Sequence, residues 1–332
     1  MKLNKILFLI IITTFLFSCI DDDGDTSTPI TFCNDNDYYA FFDAAQSNPD
    51  NIVDVIKNTT SNITTTNISM LTNVDFPPEA RNANGTWNKV TNTLFYLDES
   101  EREYALSYDL ATNTANNHSI AALTTGRLTA PVYNQNKLFM LDIDNSGNVD
   151  IKTLNSSFTV LSPSIANFPA ATVPNSPDTQ ETLAYGATDE NCLIYFLVGN
   201  TIIEYDQCFS SPSSPPYTTY SINMPGTYLD IAYRQNGNLI SVRKDNVTNN
   251  LEVVELDLTA SPGVATVISV IPTINANEES IQLTYKECGD RVQVLTHFNN
   301  STSTVVEVNM STLNVISENF NGWIFGMVHD QQ

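Results

Sequence analysis

Leu239-Ile240-Ser241-Val242, Val253-Val254-Glu255-Leu256-Asp257-Leu258 and Ala265 to Ile271 are three short apolar segments that follow one another between polar turns. Tyr233 precedes the first, and Asn236-Gly237-Asn238, Asn249-Asn250 and Pro262-Gly263 separate them. Segments this short, bounded by Asn, Gly and Pro and rich in β-branched residues, read as strands rather than helices. The same alternation runs along most of the chain, with turn signals at 8–12-residue spacing and no long helical periodicity. An all-β sandwich, barrel or propeller follows, and internal self-similarity separates the three.

Five stretches share one layout: a first strand ending in an aromatic, a turn, an apolar strand, a hairpin and a third strand. The second strands are Leu94-Phe95-Tyr96-Leu97, Leu138-Phe139-Met140-Leu141, Leu193 to Leu197, Leu239 to Val242 and Val292 to Leu295. Before them lie Trp87, Tyr133, Tyr185, Tyr233 and Tyr285, at spacings of 46, 52, 48 and 52 residues. The third strands close on Asp or Asn, as at Asp109, Asp206, Asp257 and Asn309, where a short side chain can hydrogen-bond its own backbone and start a turn. A more variable fourth strand follows, such as Tyr217 to Ile222. Four strands in about 45–50 residues is the period of a propeller blade.

The two ends supply the closure. Gly322 to His329 reads as one more first strand, with His329 in the aromatic slot 44 residues after Tyr285. Its partners stand at the other end, where Tyr38 to Phe42, Ile52 to Ile56 and Asn62 to Leu71 read as second, third and fourth strands. A blade built from both termini ties a ring shut and removes its exposed edges. The expectation is an all-β, six-bladed β-propeller over residues 35–332, with five continuous blades and one composite blade. The layout resembles bacterial propellers of the quinoprotein-like and surface-antigen type, a resemblance of architecture that brings no catalytic motif with it.

The N-terminus addresses the chain. Lys2 and Lys5 precede the apolar run Ile6 to Phe17, which is too short for the ~20 residues that span a bilayer. Residues 1–18 therefore read as a signal peptide. Leu16-Phe17-Ser18-Cys19 resembles a bacterial lipobox, and that resemblance makes Cys19 the mature N-terminus and the lipid-bearing residue. The acidic run Asp21-Asp22-Asp23-Gly24-Asp25 behind it resembles the surface-export signal of Bacteroidota lipoproteins. The resemblance implies a lipid-anchored, surface-exposed outer-membrane protein, with residues 19–34 as an acidic flexible tether.

Composition narrows the function. The chain carries 37 Asp+Glu against 14 Lys+Arg, a formal charge of −23 that argues against nucleic acid, whose binding needs a basic face. Only 15% of residues are charged, which argues against a long coiled coil. The histidines are His118, His297 and His329, and none forms an HExxH or an i, i+4 pair; GxSxG, Walker and GxGxxG motifs are also missing from the sequence. No residue is singled out as catalytic.

Three candidate sites remain. Asp142, Asp144, Ser146, Asn148 and Asp150 place oxygen side chains at alternating positions around Gly147, similar to the calcium hairpins of integrin-like propeller blades, with a plain Asn/Gly turn as the simpler alternative. A bound Ca2+ there would stabilise rather than catalyse. Trp87, Tyr133, Tyr185, Tyr233, Tyr285 and His329 recur once per blade; such a slot packs between neighbouring blades, or rings a mouth that stacks on sugar or peptide. The Gly199-Asn200 turn folds Val198 onto Thr201 and brings Cys192 near Cys208, a plausible disulfide in an exported protein that leaves Cys33 and Cys288 over. The leading expectation is a non-catalytic binding module for a protein or glycan. A propeller hydrolase or lyase acting on an extracellular polymer or small metabolite is the alternative.

Overall fold

In the computed structural model, the described residues are 36–43, 53–59, 62–68, 83–98, 104–112, 114–169, 184–209, 216–234, 236–260, 263–271, 281–286, 289–298, 302–321 and 323–328. The leader at 1–18, Cys19, the tether at 19–34, Cys33, Cys288 and His329 lie outside them. Among the described residues no helix is long and apolar enough to cross a membrane.

The chain begins with β1 (Asn36–Asp43), β2 (Val53–Thr59) and β3 (Asn62–Ile68). Five four-stranded antiparallel sheets then follow in sequence. The first holds β4 (Ala83–Asn88), β5 (Thr93–Asp98), β6 (Tyr104–Asp109) and β7 (Thr114–Ser119). The second holds β8 (Arg127–Asn134), β9 (Lys137–Ile143), β10 (Val149–Leu154) and β11 (Ala166–Phe168). The third holds β12 (Ala184–Thr188), β13 (Leu193–Val198), β14 (Thr201–Asp206) and β15 (Tyr217–Ser221). The fourth holds β16 (Thr227–Tyr233), β17 (Leu239–Lys244), β18 (Leu251–Asp257) and β19 (Val264–Ile271). The fifth holds β20 (Ile281–Lys286), β21 (Arg291–Phe298), β22 (Thr302–Asn309) and β23 (Val315–Asn321).

The last strand, β24 (Trp323–Val328), pairs antiparallel with β1, giving the sheet order β24-β1-β2-β3. The fold is an all-β propeller in which five blades, not six, are continuous in the chain. A count of six depends on taking the sheet shared by the two ends as a blade. The first strands β4, β8, β12, β16, β20 and β24 each pack on the next, and β24 packs on β4.

Sequence explains the local rules. Asp109 Oδ1 accepts the amides of Ala111 (2.8 Å) and Thr112 (3.1 Å), and Asn309 Oδ1 those of Ser311 (3.1 Å) and Thr312 (2.8 Å). Asp257 Oδ1 likewise accepts the amide and hydroxyl of Thr259 at 2.8 and 2.6 Å. These Asx turns end the third strands where the residue order predicts, because the carboxylate or amide oxygen replaces the lost ladder partner.

The core lies between blades. Phe139, Ile151 and Val149 of the second blade pack with Phe196, Ile203 and Tyr205 of the third. A second cluster joins the fourth and fifth blades through Val242, Val253, Leu283 and Val294. Burial of apolar area against both neighbours is the main favourable term holding such a ring together. Between the first blade and β24, space is scarce. A Cβ on Gly85 would stand 2.6 Å from Val328 and 2.7 Å from the Tyr96 ring, and one on Gly326 would stand 2.1 Å from the same ring. Gly326 also has φ +62°, so both the backbone and the contact require glycine.

Candidate functional site: the mouth of the central channel

The C-terminal ends of β4, β8, β12, β16 and β20 come together with the hairpins that follow β4, β8 and β12. Between them lies a cavity of about 380 Å³. Trp87, Tyr133, Tyr233 and Tyr285 line it. Each of these pairs across its sheet with the first or second residue of the second strand: Trp87 with Leu94, Tyr133 with Leu138, Tyr233 with Leu239 and Tyr285 with Val292. That register is why one aromatic per blade reaches the same depth.

Tyr185 breaks the expected ring. It pairs with Leu197, near the far end of the second strand, and is buried with Tyr195, Leu197 and Tyr228 between the third and fourth blades. The third blade instead lines the cavity with Gly186, Ala187 and Thr188. The reason is register rather than hairpin length: the four-residue turn after Thr188 matches the one between Asn88 and Thr93, but Tyr185 stands three residues before the end of β12, whereas Trp87, Tyr133 and Tyr285 stand one residue before the end of their strands and Tyr233 at its end. The His329 slot lies outside the described residues.

The two readings of the slot coincide for the remaining rings. Tyr133 meets Phe95 edge-on (6.5 Å, 87°), and Tyr233 stacks on Tyr195 (5.9 Å, 14°), so they pack between blades and face the cavity as well. Burial pushes the Tyr133 hydroxyl up to about 12, against a hydrogen bond with Asn88 that pulls the other way. Burial also raises Tyr233 and Tyr285, with the nearby Asp189 and Asp290 carboxylates adding to it. These phenols stay protonated at any physiological pH.

The rim residues escaped the sequence reading. Asn88 Nδ2 donates to Asn136 Oδ1 (2.6 Å), while its own oxygen accepts the amide of Val90 (3.0 Å). Asn134 Nδ2 donates to Thr188 Oγ1 (2.6 Å). Gln135 and Asn136 form the two-residue turn between β8 and β9, both at positive φ, the mirror-image turn that suits a hairpin's twist. Gln135 Nε2 reaches the carbonyl of Asn191 at 2.6 Å. Lys89 pairs with Glu190 at 2.5 Å, linking the first and third blades, and its ammonium stands 5.8 Å from the Trp87 ring. The available signal was positional: each rim residue follows within three positions of an aromatic or of Thr188.

The third blade's rim is anchored from outside. Cys192 and Cys208 form a disulfide with Cα atoms 5.3 Å apart. Gln207 beside it donates its amide to Cys192 O (2.9 Å), and its side chain to Asn134 Oδ1 (2.7 Å) and Asn191 O (3.0 Å). The disulfide thus holds the hairpin that carries Glu190 and Asn191.

The candidate calcium hairpin is arranged differently. Asp142 and Asp150 face each other across β9 and β10, and Lys152 forms ion pairs with both. Asp142 also accepts Thr124 Oγ1 (2.6 Å), and Asp150 accepts Asn167 Nδ2 (2.7 Å). Asp144 caps the turn, accepting the amides of Ser146 and Asn148 at 2.8 Å each and Asn148 Nδ2 at 2.7 Å. Among the described residues the only close trio of potential metal-ligating His, Cys, Asp or Glu is Cys192, Asp206 and Cys208, whose sulfurs are bonded to each other. As arranged, Asp142, Asp144 and Asp150 do not form a cage that fits Ca2+; a lysine supplies the positive charge.

Of the histidines, His118 hydrogen-bonds Ser107 Oγ at 2.7 Å and packs 4.4 Å from the Phe158 ring, where burial lowers its pKa. His297 lies in β21 opposite Ser303.

No protein-family model matches the chain, and no curated protein resembles it in sequence. Solved structures do resemble it in fold. TolB from Acinetobacter baumannii superposes with a TM-score of 0.57 at 14% identity, covering 88% of this chain and 66% of TolB, just under two thirds of its length. A candidate 6-phosphogluconolactonase from Bacteroides uniformis superposes with a TM-score of 0.51 at 11% identity, covering 85% of this chain and 82% of that one. At such identities the likeness establishes the β-propeller fold and nothing of the activity.

Proposed function

We propose that this chain is a binding module, anchored by lipid on Cys19 to the outer surface of the outer membrane, that holds a protein or glycan partner without transforming it. The sheet shared by the two chain ends serves as the sixth blade and closes the ring around the site. The observation that carries the reading is the mouth: four aromatic side chains from four blades around one cavity, with amides at its rim. Apolar walls with a few placed polar groups are what ligand sites share. The carboxylates near the rim are tied into ion pairs or turn caps, as Glu190 is to Lys89 and Asp189 is to the amides of Asn191 and Leu193 at 2.8 Å each. That engages them in structure rather than poising them as general acids.

The experiment is binding by the mature chain to a panel of oligosaccharides and extended peptides, repeated with Trp87→Ala/Tyr285→Ala. The double variant should lose binding by at least tenfold while keeping a cooperative melt. Undiminished binding by the double variant, or steady conversion of a bound molecule, would overturn the reading. For the anchor, Cys19→Ala should release the protein from membranes and abolish labelling by a fatty-acid precursor.

A further inference from the structure

We infer that the mouth takes the end of a neutral carbohydrate chain, an assignment that rests on the binding role just proposed and narrows it to one ligand class. Charge supplies the first argument. In a chain of formal charge −23, the cavity's charged lining is Lys89 and Glu190, and these neutralise each other at 2.5 Å. Among the described lining residues a uronate or sialate would find no cation that is not already paired, and a cationic peptide no spare carboxylate. Entering as an ion would mean stripping its water without a partner to replace it, a strongly unfavourable exchange.

Surface chemistry supplies the second argument. Sugar rings present an apolar face of C–H groups and an equator of hydroxyls. The partly exposed rings of Trp87, Tyr133 and Tyr233 match the first, with Tyr285 buried behind them. Thr86 and the exposed amides of Gln135 and Asn136 match the second, since hydroxyls and amides both donate and accept. The Tyr133 and Tyr233 hydroxyls stand at the same lining, while that of Tyr285 is committed to Asp290 at 2.9 Å.

Depth supplies the third. The wall toward the channel's interior consists of Gly85, Pro131, Gly186, Ile231, Leu283 and Met327, and the void beyond them, beside Asp230 and Gln282, measures only about 50 Å³. That holds one or two waters, not a sugar ring. The space narrows steeply below the mouth, which favours the end of a chain over a threaded one. With about 380 Å³ open above this floor, at the lower end of ligand-site volumes, one or two terminal units fit.

The test is calorimetry of the mature chain with linear neutral gluco-, galacto- and manno-oligosaccharides of two to four units. Matched sets carry a uronate or a free amino sugar at the terminus, and cyclic gluco-oligosaccharides offer no terminus. Neutral linear chains should bind, charging the terminus should weaken them at least tenfold, the cyclic forms should not compete, and Trp87→Ala should weaken binding tenfold. Equal or tighter binding of charged termini, binding of the cyclic forms, or no binding of any neutral chain would overturn the inference. A peptide or charged ligand lost in Trp87→Ala would overturn this assignment while leaving the mouth as the binding site. A ligand indifferent to Trp87→Ala would instead overturn the binding role of the mouth.

Discussion

Replacing both partners of the disulfide, Cys192→Ser with Cys208→Ser, tests how the mouth is supported. The bridge joins residues 16 apart in sequence, closing the β13–β14 hairpin at its open end. On the loop-closure model, a loop of this size removes about 3 kcal/mol of chain entropy from the unfolded state. With an unfolding entropy of roughly 2.1 cal/mol/K per residue, a chain of 332 residues has about 0.7 kcal/mol/K in all. The Tm should therefore fall by about 4–5 °C. The loss should also be local. Gln207 donates its backbone amide to Cys192 O and its side chain to Asn134 and Asn191, so freeing its segment loosens the rim as well as the bridge. Calorimetry gives the Tm, and hydrogen exchange resolves amides 188–193 and 206–208 against those of β17 and β21. The expected pattern is faster exchange in the first group with the second unchanged. A variant that melts within 1 °C of the parent, or that exchanges no faster at the rim, would refute the reasoning. Serine substitution is preferable to a reductant because Cys33 and Cys288 are then left as they are.

Three further outcomes follow from particular contacts. Arg234 grips Asp290 through two nitrogens (2.9 and 2.5 Å) and Glu255 through a third (2.8 Å), joining the fourth and fifth blades with all three groups about four-fifths buried. Arg234→Met strands both carboxylates and should destabilise by about 2–3 kcal/mol, discounted from a fully buried pair for the remaining exposure. Burial pushes the Asp290 carboxyl up, but hydrogen bonds from Arg234, Tyr285 and Ser311 prevail and hold it low; Glu255 is likewise held low against burial by Asn236, Asn238 and Arg234. The unfolded carboxyls take up protons first, so this stability is present at neutral pH and lost as pH falls through the depressed native values; urea midpoints from pH 7 to 3 should fall less steeply in Arg234→Met than in the parent. Lys152→Gln leaves Asp142 and Asp150 opposed without their cation and should lower the Tm at low salt, with millimolar calcium restoring part of it; a variant as stable as the parent would refute the role given to Lys152. Gly326→Ala puts a Cβ 2.1 Å from the buried Tyr96 ring at a φ of +62° and should cost about 2–4 kcal/mol in denaturant melts, whereas a neutral effect would mean the strand and ring part easily.

The repeat was legible in the sequence because each blade writes the same physics. An apolar second strand is buried on both faces, so Leu94 to Leu97 and Leu138 to Leu141 read as continuous apolar runs and are fully or nearly fully buried. Asp or Asn ends the third strand because its side chain begins the turn. Strand order within a blade follows from hairpin lengths, and the Gly199-Asn200 turn was enough to place Val198 opposite Thr201 and Cys192 beside Cys208. Tyr185 shows where that reasoning stops. A period near 50 residues does not resolve a shift of two or three rungs, and two extra residues between this aromatic and the end of β12 place it in the core rather than at the mouth. The Asp142–Asp150 segment shows the same limit: its spacing describes a ligand set, but Lys152, two residues beyond, takes the charge.

By itself, then, the sequence determined the all-β class, the blade repeat and the pairing of the chain's two ends, all of which depend on neighbours close in the chain or on a period. Only the tertiary structure decided the cavity. Lys89 meets Glu190 across 101 positions, Asn134 meets Gln207 across 73, and Gly326 meets Tyr96 from the opposite end of the chain. Contacts of that separation are set by the angle at which blades pack round the axis, and that angle is the sum of many inter-blade burials rather than the property of any motif.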